Sequence, residues 1–203
     1  EISADLESLL QRVDPRFSAV ADPFDSRRTL RYALRVDGQE IYSVDVLSPL
    51  RGPDRGRVTY LRALRSNAQL VRFLDFLLYQ EINAVALHGP GIPVNVPTPE
   101  RFGLHKLLVA QMRAAIPRSQ AKAAKDIEQA TALIDVLRRQ RPHDVVDAWG
   151  ELLDRGPSWR RKAARGLIRL PEDMRRWLLE ATPPRHLDKV AAQASASPDP
   201  RRR

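Results

Sequence analysis

Residues 92–113, Ile-Pro-Val-Asn-Val-Pro-Thr-Pro-Glu-Arg-Phe-Gly-Leu-His-Lys-Leu-Leu-Val-Ala-Gln-Met-Arg, constrain this chain most. A short strand over 92–96 runs through a turn into a long amphipathic helix. Thr98 can cap that helix, because a threonine hydroxyl accepts one of the unpaired N–H groups of the first turn. Pro99 fits the first helical position, where its missing N–H costs nothing. Glu100 sets negative charge against the positive helix end. Phe102, Leu104, Leu107, Leu108 and Gln111 follow at spacings of three and four and predict a buried stripe. Before this stretch the chain reads as strand or mixed; after it, as helix.

Upstream, residues 3–13 predict a helix capped by Ser3, with Leu6, Leu9, Leu10 and Val13 inward. Residues 17–20 predict a short strand. Alternating runs over 29–36 and 39–47 flank Asp37-Gly38, the signature of a two-residue type I′ hairpin. A two-residue loop pairs Val36 with Gln39, sets Asp45 opposite Leu30 and leaves Arg28 a diagonal neighbour. Residues 50–57 read as a loop. Residues 67–80 predict a helix with Leu70, Phe73, Leu74, Leu77 and Leu78 inward. Residues 83–88 and 92–96 predict a second hairpin around Gly89-Pro90-Gly91. Downstream, helices are expected over 98–116, 119–139, 143–154, 158–169, 172–180 and 185–194, then a disordered basic tail over 195–203.

Composition narrows the function classes. The chain has 203 residues, no cysteine and a formal net charge of +9. Disulfides and thiolate metal sites are excluded, and a cytoplasmic setting is expected. The four histidines show no metal-ligand spacing. No apolar run approaches the roughly 18 residues of a membrane span. The positive balance makes a polyanionic partner plausible.

Five groups carry candidate chemistry. Asp45, between Val44 and Val46, reads either as a metal-ligating acid at a sheet end or as a solvent-facing residue paired with Arg28. Lys106 reads as a phosphate-facing cation near a helix start or as a flanking lysine. His105 has no acidic partner at triad-like spacing and reads as structural. Lys122 and Asp126 read as an exposed i,i+4 pair. Arg155, Arg160, Arg161, Lys162, Arg165 and Arg169, with Trp159 among them and no acid between, read either as a polyanion contact or as the outer face of a packed helix.

Ser-Val-Asp-Val-Leu-Ser-Pro at 43–49, Phe-Leu-Asp-Phe-Leu-Leu at 73–78, Ala-Val-Ala-Leu-His-Gly at 84–89, the run 94–108 and Ala-Lys-Ala-Ala-Lys-Asp-Ile at 121–127 together resemble a bacterial nucleotidyltransferase-fold family. It belongs to the DNA-polymerase-β-like superfamily and is akin to the AbiEii toxin-type nucleotidyltransferases. The resemblance spans about residues 6–170. It implies a two-metal centre in which carboxylates hold Mg²⁺, with NTP as substrate. Its third acid maps onto Asp45, as catalytic and metal-binding residue. Lys106 and Arg28 become nucleotide-binding candidates, and Arg160, Arg161, Lys162 and Arg165 become acceptor- or nucleic-acid-binding candidates. The chain lacks the Gly-Ser and Asp-x-Asp motifs that precede the third acid. Its start at Glu1 rather than methionine fits two expectations: the motifs lie upstream in a longer protein, or catalysis has been lost.

The expected architecture is α+β: a small mixed or antiparallel sheet with flanking helices over 1–97, then a helical domain over 98–194. The expected activity is Mg²⁺-dependent transfer of an NMP from an NTP to a hydroxyl of a protein, tRNA, DNA or small molecule, in a defence or toxin–antitoxin context. It is an enzyme if the upstream motifs exist on the full-length protein. The alternative is a catalytically inactive nucleic-acid- or protein-binding module of the same fold.

Overall fold

The computed structural model describes residues 5–23, 25–52 and 58–195. The architecture is α+β, with small antiparallel and mixed sheets, flanking helices and a helical C-terminal region. Ser3, residues 53–57 of the expected loop and the expected tail from 196 onward lie outside the described residues. The chain divides into two compact units, Glu1–Asp75 and Phe76–Arg203.

The first unit opens with α1 (Leu6–Val13), capped by Asp5, whose carboxylate accepts from the Ser8 N–H at 2.8 Å. Strands β1 (Phe17–Asp22), β2 (Asp25–Val36) and β3 (Gln39–Asp45) form an antiparallel sheet in that order. Asp37 and Gly38 both take positive φ, +50° and +78°, as the expected hairpin turn requires, and Val36 pairs with Gln39. The expected pairing of Asp45 with Leu30 is corrected by an irregularity after Leu34. Leu34 pairs with Tyr42 and Arg35 with Glu40, so Ile41 is an extra residue on β3 and Asp45 lies opposite Arg31. One inserted residue moves every later side chain of the strand to a new partner.

A second sheet, ordered β4 (Leu47–Pro49), β6 (Ser66–Val71), β5 (Val58–Leu61), pairs β4 parallel and β5 antiparallel to β6. Val46 links the two sheets: its N–H donates to the Leu30 carbonyl at 2.9 Å and its carbonyl accepts from the Gln69 N–H at 2.8 Å. Phe17, Tyr32, Leu34, Val46 and Ala68 form this unit's core, and the Tyr32 hydroxyl lies 2.8 Å from the buried Ser66 hydroxyl. The helix expected over 67–80 is therefore wrong for most of its length. Its apolar spacing mimics a helix, but β6 is the central strand of its sheet and turns Ser66 and Ala68 inward in alternation. Phe73 then adopts φ +68°, and only one turn, α2 (Leu74–Leu77), remains helical. Strand pairing outweighs local helix preference here.

The second unit begins with the antiparallel ribbon β7 (Ile82–Ala86) and β8 (Ile92–Val96), the second hairpin expected. Then follow α3 (Pro99–Ala114), α4 (Gln120–Gln140), α5 (Pro142–Asp154), α6 (Pro157–Leu167), α7 (Glu172–Glu180) and α8 (Pro184–Ser195). Helix α3 is central and packs against α4, α5 and α6. Its buried residues are Arg101, Gly103, Leu104, His105, Leu107, Leu108 and Ala110, while Phe102 and Gln111 are only half-buried. Thr98 stands at the N-cap position, but its hydroxyl makes no capping bond and is buried without a partner. Trp149 of α5 is buried, and its indole N–H donates to the Thr182 hydroxyl at 3.0 Å.

Candidate active site

In the first unit, Asp45 ends β3 with its side chain 57% exposed. The Arg31 Nε lies 3.0 Å from its Oδ1, and the same guanidinium lies 3.4 Å from Glu40 and donates to the Ser43 hydroxyl at 3.0 Å. The strand that carries Asp45, β3, is exposed along most of its length. Asp45 pairs with Arg31 rather than with Arg28. Arg28 instead lies 3.1 Å from Asp25.

In the second unit, α3 and α4 bring together Lys106, Arg113 and Asp126. Asp126 is a carboxylate buried in a helix interface, with its side chain 3% exposed. The Lys106 ammonium donates to its Oδ1 at 2.8 Å and the Arg113 guanidinium to its Oδ2 at 2.5 Å. An ionised carboxylate is tolerated there because both oxygens meet charged donors. Two cations against one anion leave the cluster a net positive charge. Lys106 also lies 5.0 Å from the centre of the Phe102 ring, so its position is fixed from two sides while its side chain stays partly open to solvent. The expected exposed pair of Lys122 with Asp126 is corrected: Asp126 turns inward to α3 and Lys122 remains exposed. The signal was present in the sequence. Ala123, Asp126, Ala130, Ile134 and Leu137 recur at spacings of three and four and are the buried line of α4, whereas Ile127 lies beside it.

His105 is buried beside this cluster with an unpartnered Nε2. Burial, reinforced by Lys106 and Arg113 and opposed by Asp126, lowers its pKa from the usual histidine range to about 4. It is therefore neutral at pH 7, in line with a structural rather than a titrating role.

Arg101, which sequence reasoning missed, anchors the start of α3. It is 3% exposed. Its guanidinium forms a fork with Glu151 of α5, donates to Gln80 Oε1 at 2.9 Å and lies over the Phe76 and Tyr79 rings at 4.9 and 4.7 Å. Burial pushes the Glu151 pKa up, but hydrogen bonds from Arg101 and Arg155 outweigh it and hold the carboxyl below its usual range. An arginine in the first turn of a helix gives no local sign of this role, because its partner is 50 residues away.

Of the basic run, two members are structural. Arg160 donates to the Leu153 carbonyl at 2.8 Å, and Arg155 pairs with Glu151 at 2.7 Å and stacks on Trp159 at 5.2 Å. Arg161 and Arg165 are exposed on α6 and Lys162 is half-buried.

A family profile described as Nucleotidyltransferase matches residues 1–154. The chain belongs to this nucleotidyltransferase family. The matched span takes in Asp45, Lys106, Arg113 and Asp126 and stops at the end of α5. No curated protein and no solved structure matches the chain. Nucleotidyltransferases typically use a divalent metal ion. The described residues do not fit such an ion: no group of three or more His, Asp or Glu side chains among them can hold one, and Asp45 is already engaged by Arg31. No helix among the described residues is long and apolar enough to cross a membrane.

Proposed function

We propose that this nucleotidyltransferase-family protein moves an NMP from an NTP onto a hydroxyl acceptor, with Lys106 as the cation that meets the phosphates. In this reaction the hydroxyl oxygen attacks the α-phosphorus and gives up its proton to solvent, the bond from the α-phosphorus to the bridging oxygen breaks, and pyrophosphate leaves with the electron pair and its negative charge. A fixed ammonium placed where that charge develops stabilises the transition state more than the ground state. The buried Asp126 supports the reading. It holds the Lys106 ammonium in place and shares its own charge with Arg113, so the lysine keeps net positive character. Asp126 is a positioning residue here, since both its oxygens are occupied.

Within the first unit the reading keeps Asp45, held by Arg31, as a candidate catalytic carboxylate without a metal ion and Arg28 as a candidate nucleotide contact, and it takes a protein, tRNA, DNA or small-molecule hydroxyl as acceptor. A cytoplasmic setting, expected from the cysteine-free sequence, and a defence-related role, which rests on family likeness alone, belong to the same reading.

The test is label transfer from each α-³²P-labelled NTP with Mg²⁺, to the protein itself and to added RNA. The expected result is transfer with one or more NTPs that Lys106→Ala lowers by about 10²-fold. Transfer undiminished in Lys106→Ala would remove the lysine from the reaction, and transfer undiminished in Asp45→Ala would remove the carboxylate. No transfer from any NTP favours the second reading, a binding module that keeps the fold without the chemistry. The lack of a metal-holding group among the described residues speaks for that alternative.

A further inference from the structure

We propose that the outer face of α6 is a docking surface for a nucleic-acid backbone, with Arg161, Lys162 and Arg165 as its phosphate contacts and Arg169 as an extension beyond the helix end. The surface lies outside the residues matched by the family profile, and it stands whether or not the protein transfers nucleotides.

Three observations carry it. First, these cations are free. Arg155 and Arg160 of the same run are used inside the fold, but among the described residues none of the three on α6 has an acidic partner within ion-pair distance. Several other exposed arginines do have one, as Arg27, Arg139, Arg176 and Arg185 show. Burial, together with the neighbouring Arg165 and Arg161, pushes the Lys162 ammonium pKa down. The three charges thus repel one another with no internal relief, and an external anion supplies it.

Second, the geometry is linear. Arg161 and Arg165 are one turn apart on the same face, about 6 Å along the axis. Arg169 follows two residues past the helix end, where it borders a hollow lined by Glu128, Asp135 and Asp173. A row of charges at this spacing suits consecutive phosphates of a strand rather than one small anion, which needs convergent donors.

Third, the face offers nothing else. The exposed positions from 157 to 169 are Pro157, Ser158, Arg161, Arg165 and Arg169, with no large apolar side chain. A protein partner would find no apolar centre to bury. The helix behind the row is firmly seated: Ala163, Ala164, Gly166 and Leu167 are buried, and Gly166 lies directly against Leu107 of α3.

The test is fluorescence anisotropy of the whole protein with a labelled 20-nucleotide strand and its duplex, from 50 to 300 mM NaCl. Binding is expected with a log K against log[salt] slope of about −2 to −3, as three phosphate contacts give. Arg161→Glu/Arg165→Glu should weaken binding at least tenfold and flatten the slope by about 2, with circular dichroism and melting unchanged because both side chains are exposed. The charge-matched Lys122→Glu/Lys125→Glu on α4 should lose far less. No binding at 50 mM NaCl, a salt-independent affinity, equal losses in the two double variants, or equal competition by polyglutamate would each overturn the proposal.

Discussion

Lys106 and Asp126 are 20 residues apart in the chain and 2.8 Å apart in the fold, and this pair with Arg113 is the main polar contact joining α3 to α4. The three members are unequal. Asp126 is buried and touches both cations, whereas Lys106 and Arg113 are 19% and 39% exposed at their side chains. Removing the acid leaves two cations facing each other with no counter-charge; removing the lysine leaves Arg113 still paired. Asp126→Ala should therefore cost about 2 kcal/mol, below the range for a fully buried pair because the cations reach solvent. Lys106→Ala should cost less than about 1 kcal/mol. Urea unfolding of both variants checks this, and equal costs would mean that the acid does not outweigh the lysine in organising the cluster.

Those contacts also mark where the sequence was legible. The β2–β3 hairpin could be read because its determinant is local: Asp37-Gly38 alone satisfies a turn that needs positive φ twice. The helices after Thr98 could be read for the same reason, from periodicity and from the prolines at or beside their starts. Residues 67–80 could not, because β6 is a strand only by virtue of lying between β4 and β5, and no local signal reports a neighbour. The register error at Asp45 came from one extra residue, Ile41, which alternation does not reveal. The site was half legible. Lys106 stood out by type and place, but the roles of Asp126 and Arg101 depend on partners on other helices. Reading Asp126 against Lys122 followed the rule for isolated helices and missed the buried line on which it sits.

Arg101 offers a sharper test of a buried charge. Its guanidinium donates to Glu151, to Gln80 and to the Phe76 carbonyl at 3.4 Å, and it stacks on two rings. A lysine keeps the charge but not the planar fork or the stacking. Arg101→Lys should lose about 2 kcal/mol and Arg101→Ala about 3–5 kcal/mol, the latter leaving Glu151 with Arg155 alone. Thermal melting monitored by circular dichroism gives the order. A lysine variant as stable as the parent would show that charge alone is sufficient.

Gly166 sits where α6 meets α3. A Cβ there would come 3.0 Å from the Leu107 Cβ and 3.3 Å from the Leu107 carbonyl oxygen. Alanine would gain up to about 1 kcal/mol of helix propensity. It would also force two backbones apart, and overpacking of this kind costs about 1–3 kcal/mol. The contact should prevail, so Gly166→Ala lowers stability by about 1–2 kcal/mol. Gly103 makes a useful comparison. Its added Cβ would meet Leu133 and Ile134 at 3.4 and 3.5 Å, ordinary contact distances, and alanine there should be neutral or mildly stabilising. If both glycines tolerate alanine equally in urea titrations, the α3–α6 contact is looser than described.

His105 gives the fold a pH dependence of definite sign. Its folded pKa of about 4 lies below the unfolded value near 6.5, with burial the main cause and Lys106 and Arg113 adding to it. Between those values the unfolded chain binds a proton that the folded chain does not, so stability rises with pH across this window. Acidification from pH 7 to pH 4 should cost about 3 kcal/mol through this residue alone. Other groups act with the same sign in a lower pH range: Asp14 and Asp154, held down at about 2 by Arg16 and by Arg185 with His186, keep their contribution above the usual carboxylate value of 3.8 and lose it as the pH falls from there through about 2. His105→Gln removes the titration and keeps a polar side chain of similar size. The unfolding free energy of this variant, measured from pH 7 down to pH 4.5, should therefore fall less steeply than that of the parent. Parallel curves for the two proteins would show that His105 accepts its proton in the folded state as readily as in the unfolded one.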